Sequence, residues 1–281
     1  MNAPATRDPA ELLALLALAE SAAREAGVLI RDERPADLGV ALTKSSPTDV
    51  VTVMDQRSEQ LLRRLLLEAR PDDSLLGEEG DDVVGTSGIT WVVDPIDGTV
   101  NYLYGIPAYA VSIAAVTGDP RDPAGHQVLA GCVHNPAAGE TYTATLGGGA
   151  HLDGRRLQVN DVDDLGQVLL ATGFGYDSGR RRKQAQVIAA LLPQVRDIRR
   201  IGSGALDLCQ VACGRVDAYL ERGLQPWDVA AGGLVAREAG ALVTGLGNAP
   251  AGESLVLAAG PVVHAALQHL VGPLRPDTDA V

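Results

Sequence analysis

Aromatic side chains are scarce: one Phe, two Trp and six Tyr make up 3% of the 281 residues. Leu, Val and Ala must therefore fill the core. Cysteine is scarcer still. Cys132, Cys209 and Cys213 are an odd number with no Cys-x-x-Cys pair, which argues against a disulfide framework or a zinc knuckle. Cys209 and Cys213 lie four apart on an expected helix and read as small core residues. Basic charge is in deficit, with a net charge of −13. A nucleic-acid binder needs a basic footprint, so that class is excluded as an expectation. The same deficit suits a site that recruits divalent cations. No His-Glu-x-x-His and no Gly-x-Ser-x-Gly occurs; His264 and His269 flank an apolar C-terminal helix and read as surface residues. No long apolar run is present either. Glu11, Glu20 and Glu25 interrupt the first helical stretch, so neither a signal peptide nor a membrane span is expected. The expected setting is reducing and cytoplasmic.

What is present is a 46% hydrophobic chain, long enough for one large domain or two closely packed halves. Residues 1–7 read as a loose tail. Asp8-Pro-Ala-Glu11 starts a helix with a cap, a first-turn proline and an acid, and Leu12, Leu13, Leu16, Ala19 and Ala23 mark its apolar face. Gly39 to Thr43 reads as a strand and Lys44-Ser-Ser-Pro47 as a polar turn. Asp49 to Asp55 leads into a second helix striped by Leu61, Leu62, Leu65 and Leu66. Ser74 to Gly80 is a short strand ending in acids.

Strand-like runs follow at Tyr109–Val116, Val128–His134 and Thr141–Leu146, separated by turn signals. Gly147 to Gly149 and Asp153-Gly154 read as a glycine-rich turn region. From about residue 165, strands expected at Val168–Thr172, Ile198–Ile201, Ala218–Glu221, Ala241–Val243 and Leu255–Ala258 alternate with helices. Those helices are Gly179–Leu192, Ala205–Gly214, Asp228–Glu238 and Pro261–Val271. The change of rhythm divides the chain into an α+β half, residues 1–164, and an α/β half, residues 165–281, with a site expected between them. Gly173-Phe-Gly-Tyr-Asp-Ser178 imitates a dinucleotide fingerprint, but its third glycine position is Ser178. It reads as a plain strand-to-helix loop. Arg180 to Lys183 reads as a solvated basic face, with a phosphate or effector contact as the alternative, and Arg275 to Val281 as a frayed end.

The chemistry centres on Trp91-Val-Val-Asp-Pro-Ile-Asp-Gly-Thr-Val-Asn101. Trp91, Val92 and Val93 read as a buried strand, and Pro95, which cannot donate to a ladder, is expected to stop it. Asp94, Asp97, Gly98 and Thr99 then stand at a strand end. Paired carboxylates beside a Gly-Thr turn suit Mg²⁺ and phosphate together. Asp-Pro and Asp-Gly are also ordinary turn dipeptides. The haloacid-dehalogenase-like motif Asp-x-Asp-Gly-Thr needs acids two apart, whereas these are three apart.

This stretch instead resembles the signature W-x-[IV]-D-P-[IL]-D-G-T-x-N of the inositol monophosphatase family. Three further segments are similar to that family's motifs: Ser46 to Gln56, Leu76-Gly-Glu-Glu79, and Gln225-Pro-Trp-Asp228 with the following helix to Gly240. The resemblance implies a layered αβαβα sandwich of the inositol monophosphatase and fructose-1,6-bisphosphatase type, in the α/β (α+β) class. It implies two or three Mg²⁺ ions held by Glu78, Asp94, the carbonyl of Ile96, Asp97 and Asp228, with Asp94 bridging. It also implies a water activated by Glu78, Thr99 and Asp55, a phosphate cradle at Gly98, Thr99 and Val100, and substrate contacts from Asp97, Ala205 and Glu221. Val100 stands where the family often has Thr, and Gly204 where it commonly has Ala.

Further implications are inhibition by Li⁺, a homodimer and a small phosphomonoester as substrate, best matched by myo-inositol 1-phosphate. Histidinol phosphate, fructose 1,6-bisphosphate and 3′-phosphoadenosine phosphates remain alternatives, because the metal motifs are shared. An alternative of another class is a non-catalytic regulatory binding protein on the same fold. Glu79 is expected on the strand face opposite Glu78, Asp207 and Asp217 at a helix surface or turn, and Trp227 as packing support for Asp228.

Overall fold

The computed structural model describes residues 7–44 and 50–279. The expected turn at 45–47, Asp49 and the first six residues lie outside them. Helix α1 (Pro9–Asp32) starts as its sequence dictates, with Asp8 Oδ1 accepting from the Ala10 amide at 2.9 Å. The short strands β1 (Leu42–Thr43) and β2 (Val50–Val51) pair antiparallel ahead of α2 (Val53–Ala69). β1 is thus shorter than the strand expected from Gly39. Next come β3 (Ser74–Gly77), β4 (Thr90–Asp97), the single-turn helix α3 (Thr99–Tyr104), β5 (Ala110–Thr117), β6 (Gln127–Asn135) and β7 (Glu140–Thr145). β8 (Gly149–Leu152) and β9 (Arg155–Arg156) occupy the expected glycine-rich turn region. There Gly147, Gly149 and Gly154, all at positive φ, make the tight turns that let two short strands form.

The remainder alternates: β10 (Leu169–Thr172), α4 (Ser178–Leu191), β11 (Asp197–Arg199), α5 (Gly204–Ala212), β12 (Ala218–Glu221), α6 (Pro226–Glu238), β13 (Leu242–Thr244), β14 (Val256–Ala259) and α7 (Pro261–Val271). Each agrees with its expected span to within two residues.

Two sheets organise these elements. One has seven strands in the order β3-β4-β5-β6-β7-β8-β9; the other has five in the order β11-β10-β12-β14-β13. Helices α1 and α2 cover the outer face of the large sheet. Leu15, Ile30, Leu62 and Leu66 pack there against Trp91, Val93 and Ile113. Helices α5 and α6 lie between the sheets. Leu206, Cys209, Ala231 and Leu234 face Val92, Ala114 and Val133 of the large sheet, while Leu208, Val211 and Ala236 face Tyr219, Val256 and Ala258 of the small one. Helices α4 and α7 cover the far side through Val187, Leu191, Val263 and Leu267. The result is the expected αβαβα sandwich. Small side chains make the middle layer thin enough: Gly131 has no Cβ because one there would stand 3.0 Å from the Ala231 backbone.

Burial corrects two expectations. His264 is 2% exposed, not a surface residue; its Nε2 lies 2.8 Å from Thr244 Oγ1, and burial holds its pKa below the usual value. Asp207 is 1% exposed, and neither of its carboxyl oxygens has a hydrogen-bond partner among the described residues. It lies on α5, whose two sides both face sheets, so that helix has no solvent face on which to place it.

Candidate active site

Strand β4 carries the central motif into the interior. Trp91 is fully buried, and its Nε1 donates to Asp73 Oδ2 at 2.9 Å, so the indole is anchored at its polar end as well as packed. Pro95 does not end the strand. Asp94 pairs with Ser112 and Asp97 with Ala110, so β4 spends one residue more than β5 between those pairs. This is a β-bulge, and the residue without an amide hydrogen sits where the ladder is already interrupted. The bulge brings both acids towards one cleft while the strand keeps its pairing.

Gly98 follows at φ +93°, and a Cβ on it would stand 2.9 Å from the Ala108 carbonyl. Only glycine fits this turn, which opens α3 and presents Gly98, Thr99 and Val100 along the cleft wall. The cleft measures about 630 Å³, and Glu78, Asp94, Ile96, Asp97, Glu221 and Asp228 also line it.

Three of the expected ligands come together. Asp94, Asp97 and Asp228 each offer a carboxylate oxygen within 4.8 Å of the others. Their supports come from three places in the chain. Asp97 Oδ2 accepts from Ser203 Oγ at 2.5 Å and from the Ala205 amide at 2.7 Å. Asp228 is the third residue of α6, and its Oδ2 accepts from the Gln225 amide at 2.6 Å in a capping box. Asp94 Oδ1 accepts from the Ile96 amide at 3.0 Å.

Burial is the first cause that raises the pKa of all three acids, and mutual repulsion adds to it at Asp94 and Asp228; the Ser203 hydrogen bond pulls Asp97 back. Crowded, buried carboxylates of this kind need a cation to ionise fully. The donors are all hard oxygens, which fits Mg²⁺.

Glu78 shows the same need by another route. Its Oε1 accepts from the Lys44 ammonium at 2.7 Å, and Glu79 Oε1 accepts from the same nitrogen at 2.6 Å. A side-chain cation thus sits between two acids at the edge of the cluster. Burial raises the Glu78 pKa and Lys44 opposes that rise. Glu79 does not take an opposite strand face, because β3 ends at Gly77 and strand alternation no longer applies.

Asp55 lies behind the cluster, fully buried in the first turn of α2. Its Oδ2 accepts from the Thr52 amide at 2.8 Å and the Thr52 hydroxyl at 2.6 Å. Its Oδ1 lies 3.1 Å from Thr99 Oγ1, which is equally close to the Ile96 carbonyl oxygen. Burial pushes the Asp55 pKa up to about 6 against these stabilising bonds. Glu221 also lines the cleft; its Oε2 accepts from Tyr219 Oη at 2.6 Å, and burial pushes the Glu221 pKa up to about 7. Gly173 leaves room for that carboxylate, since a Cβ there would overlap it.

Ala205 is buried, and its amide is engaged by Asp97; Ser203 and Gly204 line the cleft in its place. Trp227 is half-buried against the middle layer, and its carbonyl accepts from Ser112 Oγ at 3.1 Å. Sequence reasoning missed Ser203, Lys44 and Asn101. Asn101 Nδ2 donates to the Ala108 and Ile201 carbonyls, both at 2.8 Å, and so ties the motif to the second sheet's connections. Its place in the signature was the available signal; for Ser203 it was a serine just ahead of an expected helix, a cap position, and Lys44 offered none beyond residue type.

The profile of the inositol monophosphatase family matches residues 11–276. The chain belongs to that family. Among family relatives, the inositol-1-monophosphatase SuhB of Mycobacterium tuberculosis is 47% identical over 298 aligned positions, covering 98% of this chain and all of the relative. The Nus factor SuhB of Xylella fastidiosa is 44% identical, covering 79% of this chain and 78% of the relative. The crystal structure of the extragenic suppressor protein suhB from Bartonella henselae superposes with a TM-score of 0.83 at 34% identity, covering 92% of this chain and 98% of that one. Inositol monophosphatases are phosphatases of small phosphomonoesters and are generally Mg²⁺-dependent. The acidic cluster is what such an enzyme requires.

Proposed function

We propose that this protein hydrolyses a small polyol phosphomonoester, best matched by myo-inositol 1-phosphate, in a Mg²⁺-dependent reaction. The observation that carries this reading is the convergence of Asp94, Asp97 and Asp228 beside the Gly98–Val100 turn. Glu78, Asp94, the Ile96 carbonyl, Asp97 and Asp228 would hold the metal. Magnesium bound there supplies positive charge that acidifies a water and stabilises a leaving alkoxide.

The protein's own groups do the rest. Thr99, hydrogen-bonded to Asp55, holds and orients a water at its hydroxyl. The amides at the start of α3 receive the phosphate oxygens. Glu221, with Tyr219 behind it, accepts hydrogen bonds from the alcohol's hydroxyls. The segments 1–164 and 165–281 supply opposite walls of the cleft in this reading, and the enzyme is a cytoplasmic homodimer. No helix among the described residues is long and apolar enough to cross a membrane.

The deciding experiment is phosphate release from inositol 1-phosphate, histidinol phosphate, fructose 1,6-bisphosphate and 3′-phosphoadenosine phosphate, with and without Mg²⁺ and with Li⁺. Release from inositol 1-phosphate that needs Mg²⁺ and falls with Li⁺ is expected. Full turnover after chelation would remove the metal from the mechanism. A second reading, a regulatory binding protein, is favoured by relatives named Nus factor; release from no substrate of the panel would select it.

A further inference from the structure

The basic run at the start of α4 does not simply face solvent. Arg180 lines the catalytic cleft together with Arg222, which directly follows Glu221. Two bare glycines make room for the Arg180 side chain: a Cβ at Gly175 would stand 3.0 Å from its Cδ, and one at Gly223 2.6 Å from its Nη1. Gly223 also sits at φ +99°, a conformation that favours glycine. The guanidinium is therefore held on the rim rather than left to sweep through solvent.

The segment after α7 returns to this rim. Arg275 turns it at φ +49°, and Pro276 lines a small cavity together with Glu221 and Arg222. The carboxylate of Asp279 then meets both arginines. It pairs with Arg222 Nη1 and, at 3.1 Å, with Nη2, and lies 3.6 Å from Arg180 Nε. Glu253 Oε1 stands 3.7 Å from Arg180 Nη2. The end expected to fray over Arg275–Val281 is described as far as Asp279, where it lies against the two arginines.

This pairing leaves capacity over. Arg180 Nε and Arg222 Nε are both buried without a hydrogen-bond partner among the described residues. The two carboxylates facing them are 53% and 63% exposed, so they are weakly held. Two guanidiniums offer forks of donors matched to a tetrahedral dianion with three oxygens better than to one carboxylate. We propose that Arg180 and Arg222 form a second anion subsite of the catalytic cleft, that it takes a second phosphate on a polyol bisphosphate, and that Asp279 is its built-in competitor. The substrate class rests on the phosphatase reading above; the anion subsite itself does not.

Two measurements test it on the full chain, using Asp279→Asn and Arg180→Gln. In the first, metal-free protein is titrated with inositol 1,4-bisphosphate by calorimetry, where no turnover occurs. Asp279→Asn binds about two- to fivefold tighter than wild type, the scale of an exposed ion pair. Arg180→Gln binds about tenfold weaker, the scale of one charge-assisted hydrogen bond. Equal affinity in all three proteins overturns the subsite.

In the second, kcat/KM is measured with Mg²⁺ for inositol 1,4-bisphosphate and inositol 1-phosphate. The ratio of the two rises in Asp279→Asn and falls in Arg180→Gln, through KM. An unmoved ratio overturns the assignment to a second phosphate. If wild type releases phosphate from neither compound while the calorimetric order holds, the phosphatase reading fails and the anion subsite stands.

Discussion

Ser203 Oγ donates to Asp97 Oδ2 at 2.5 Å, across a sequence separation of 106 residues. One hydroxyl thereby sets the direction of a candidate metal ligand on β4 from the N-cap of α5. The same Ser203 oxygen accepts from the Leu206 amide at 3.3 Å, capping α5. Ser203→Ala removes both contacts. Losing a cap costs about 1 kcal/mol and a hydrogen bond to a charged group about 1.5–3 kcal/mol. Urea denaturation should show a loss of that order, and the Mg²⁺ concentration for half-maximal activity should rise. An unchanged Mg²⁺ requirement would mean that Asp97 is held by the Ala205 amide alone.

Asp94 is crowded by other acids: burial, then Glu78, Asp97 and Asp228, all raise its pKa. Asp94→Asn should weaken Mg²⁺ binding measured by calorimetry and lower phosphate release far more than Glu79→Gln. Glu79 shares Lys44 with Glu78 but is not one of the three converging acids. Equal losses in the two variants would mean that Glu79 matters to the metal as much as Asp94 does.

The crowded carboxylates make stability depend on pH with a definite sign. Asp55 has an ordinary value of 3.8 and a folded value of about 6, and Asp94, Asp97 and Asp228 are also raised. A group raised on folding binds its proton more tightly in the folded state. Its contribution is complete below the unfolded value and is lost as pH rises through the folded one. Metal-free protein should therefore lose Tm as pH is raised from about 4 to beyond 6. Added Mg²⁺, which binds the ionised acids, should restore more Tm at the upper end than at the lower. A metal-free Tm that climbs steadily across this range would contradict the assignment.

Thr99 and Glu221 both line the cleft but have different partners, Asp55 and Tyr219, and should fail differently. Thr99→Ala removes the hydroxyl 3.1 Å from Asp55 and should lower kcat for every phosphomonoester by roughly 10²–10⁴-fold. Glu221→Gln keeps the shape but exchanges an acceptor for an amide beside Tyr219. It should lower kcat/KM chiefly for polyol phosphates, leaving an aryl phosphate much less affected. Equal depression of both substrates would assign Glu221 to the fold instead of to specificity.

Assembly has its own test. Light scattering at micromolar concentration should give the mass of a dimer; a monomer mass would refute the homodimer.

The sequence by itself determined what depends on neighbours along the chain. Asp8-Pro9 begins a helix because a cap and a first-turn proline act within four residues. The apolar runs of β4, β5 and β6 were legible because a strand buried on both faces needs continuous apolar side chains. The motif from Trp91 to Asn101 carried the family, and with it the acids.

Tertiary structure alone decided the rest. Lys44 reaches Glu78 across 34 residues, and Arg222 reaches Asp279 across 57; no local pattern marks either partner. Asp207 was misplaced for a related reason: a helix sandwiched between two sheets is buried on both sides, so no polar face remains for periodicity to reveal. Pro95 misled because its missing amide hydrogen ends a strand only where a ladder bond is required, and β4 bulges away from β5 at that very place. Pairing across the fold is set by which layers meet, and that is a property of the packed chain rather than of any segment in it.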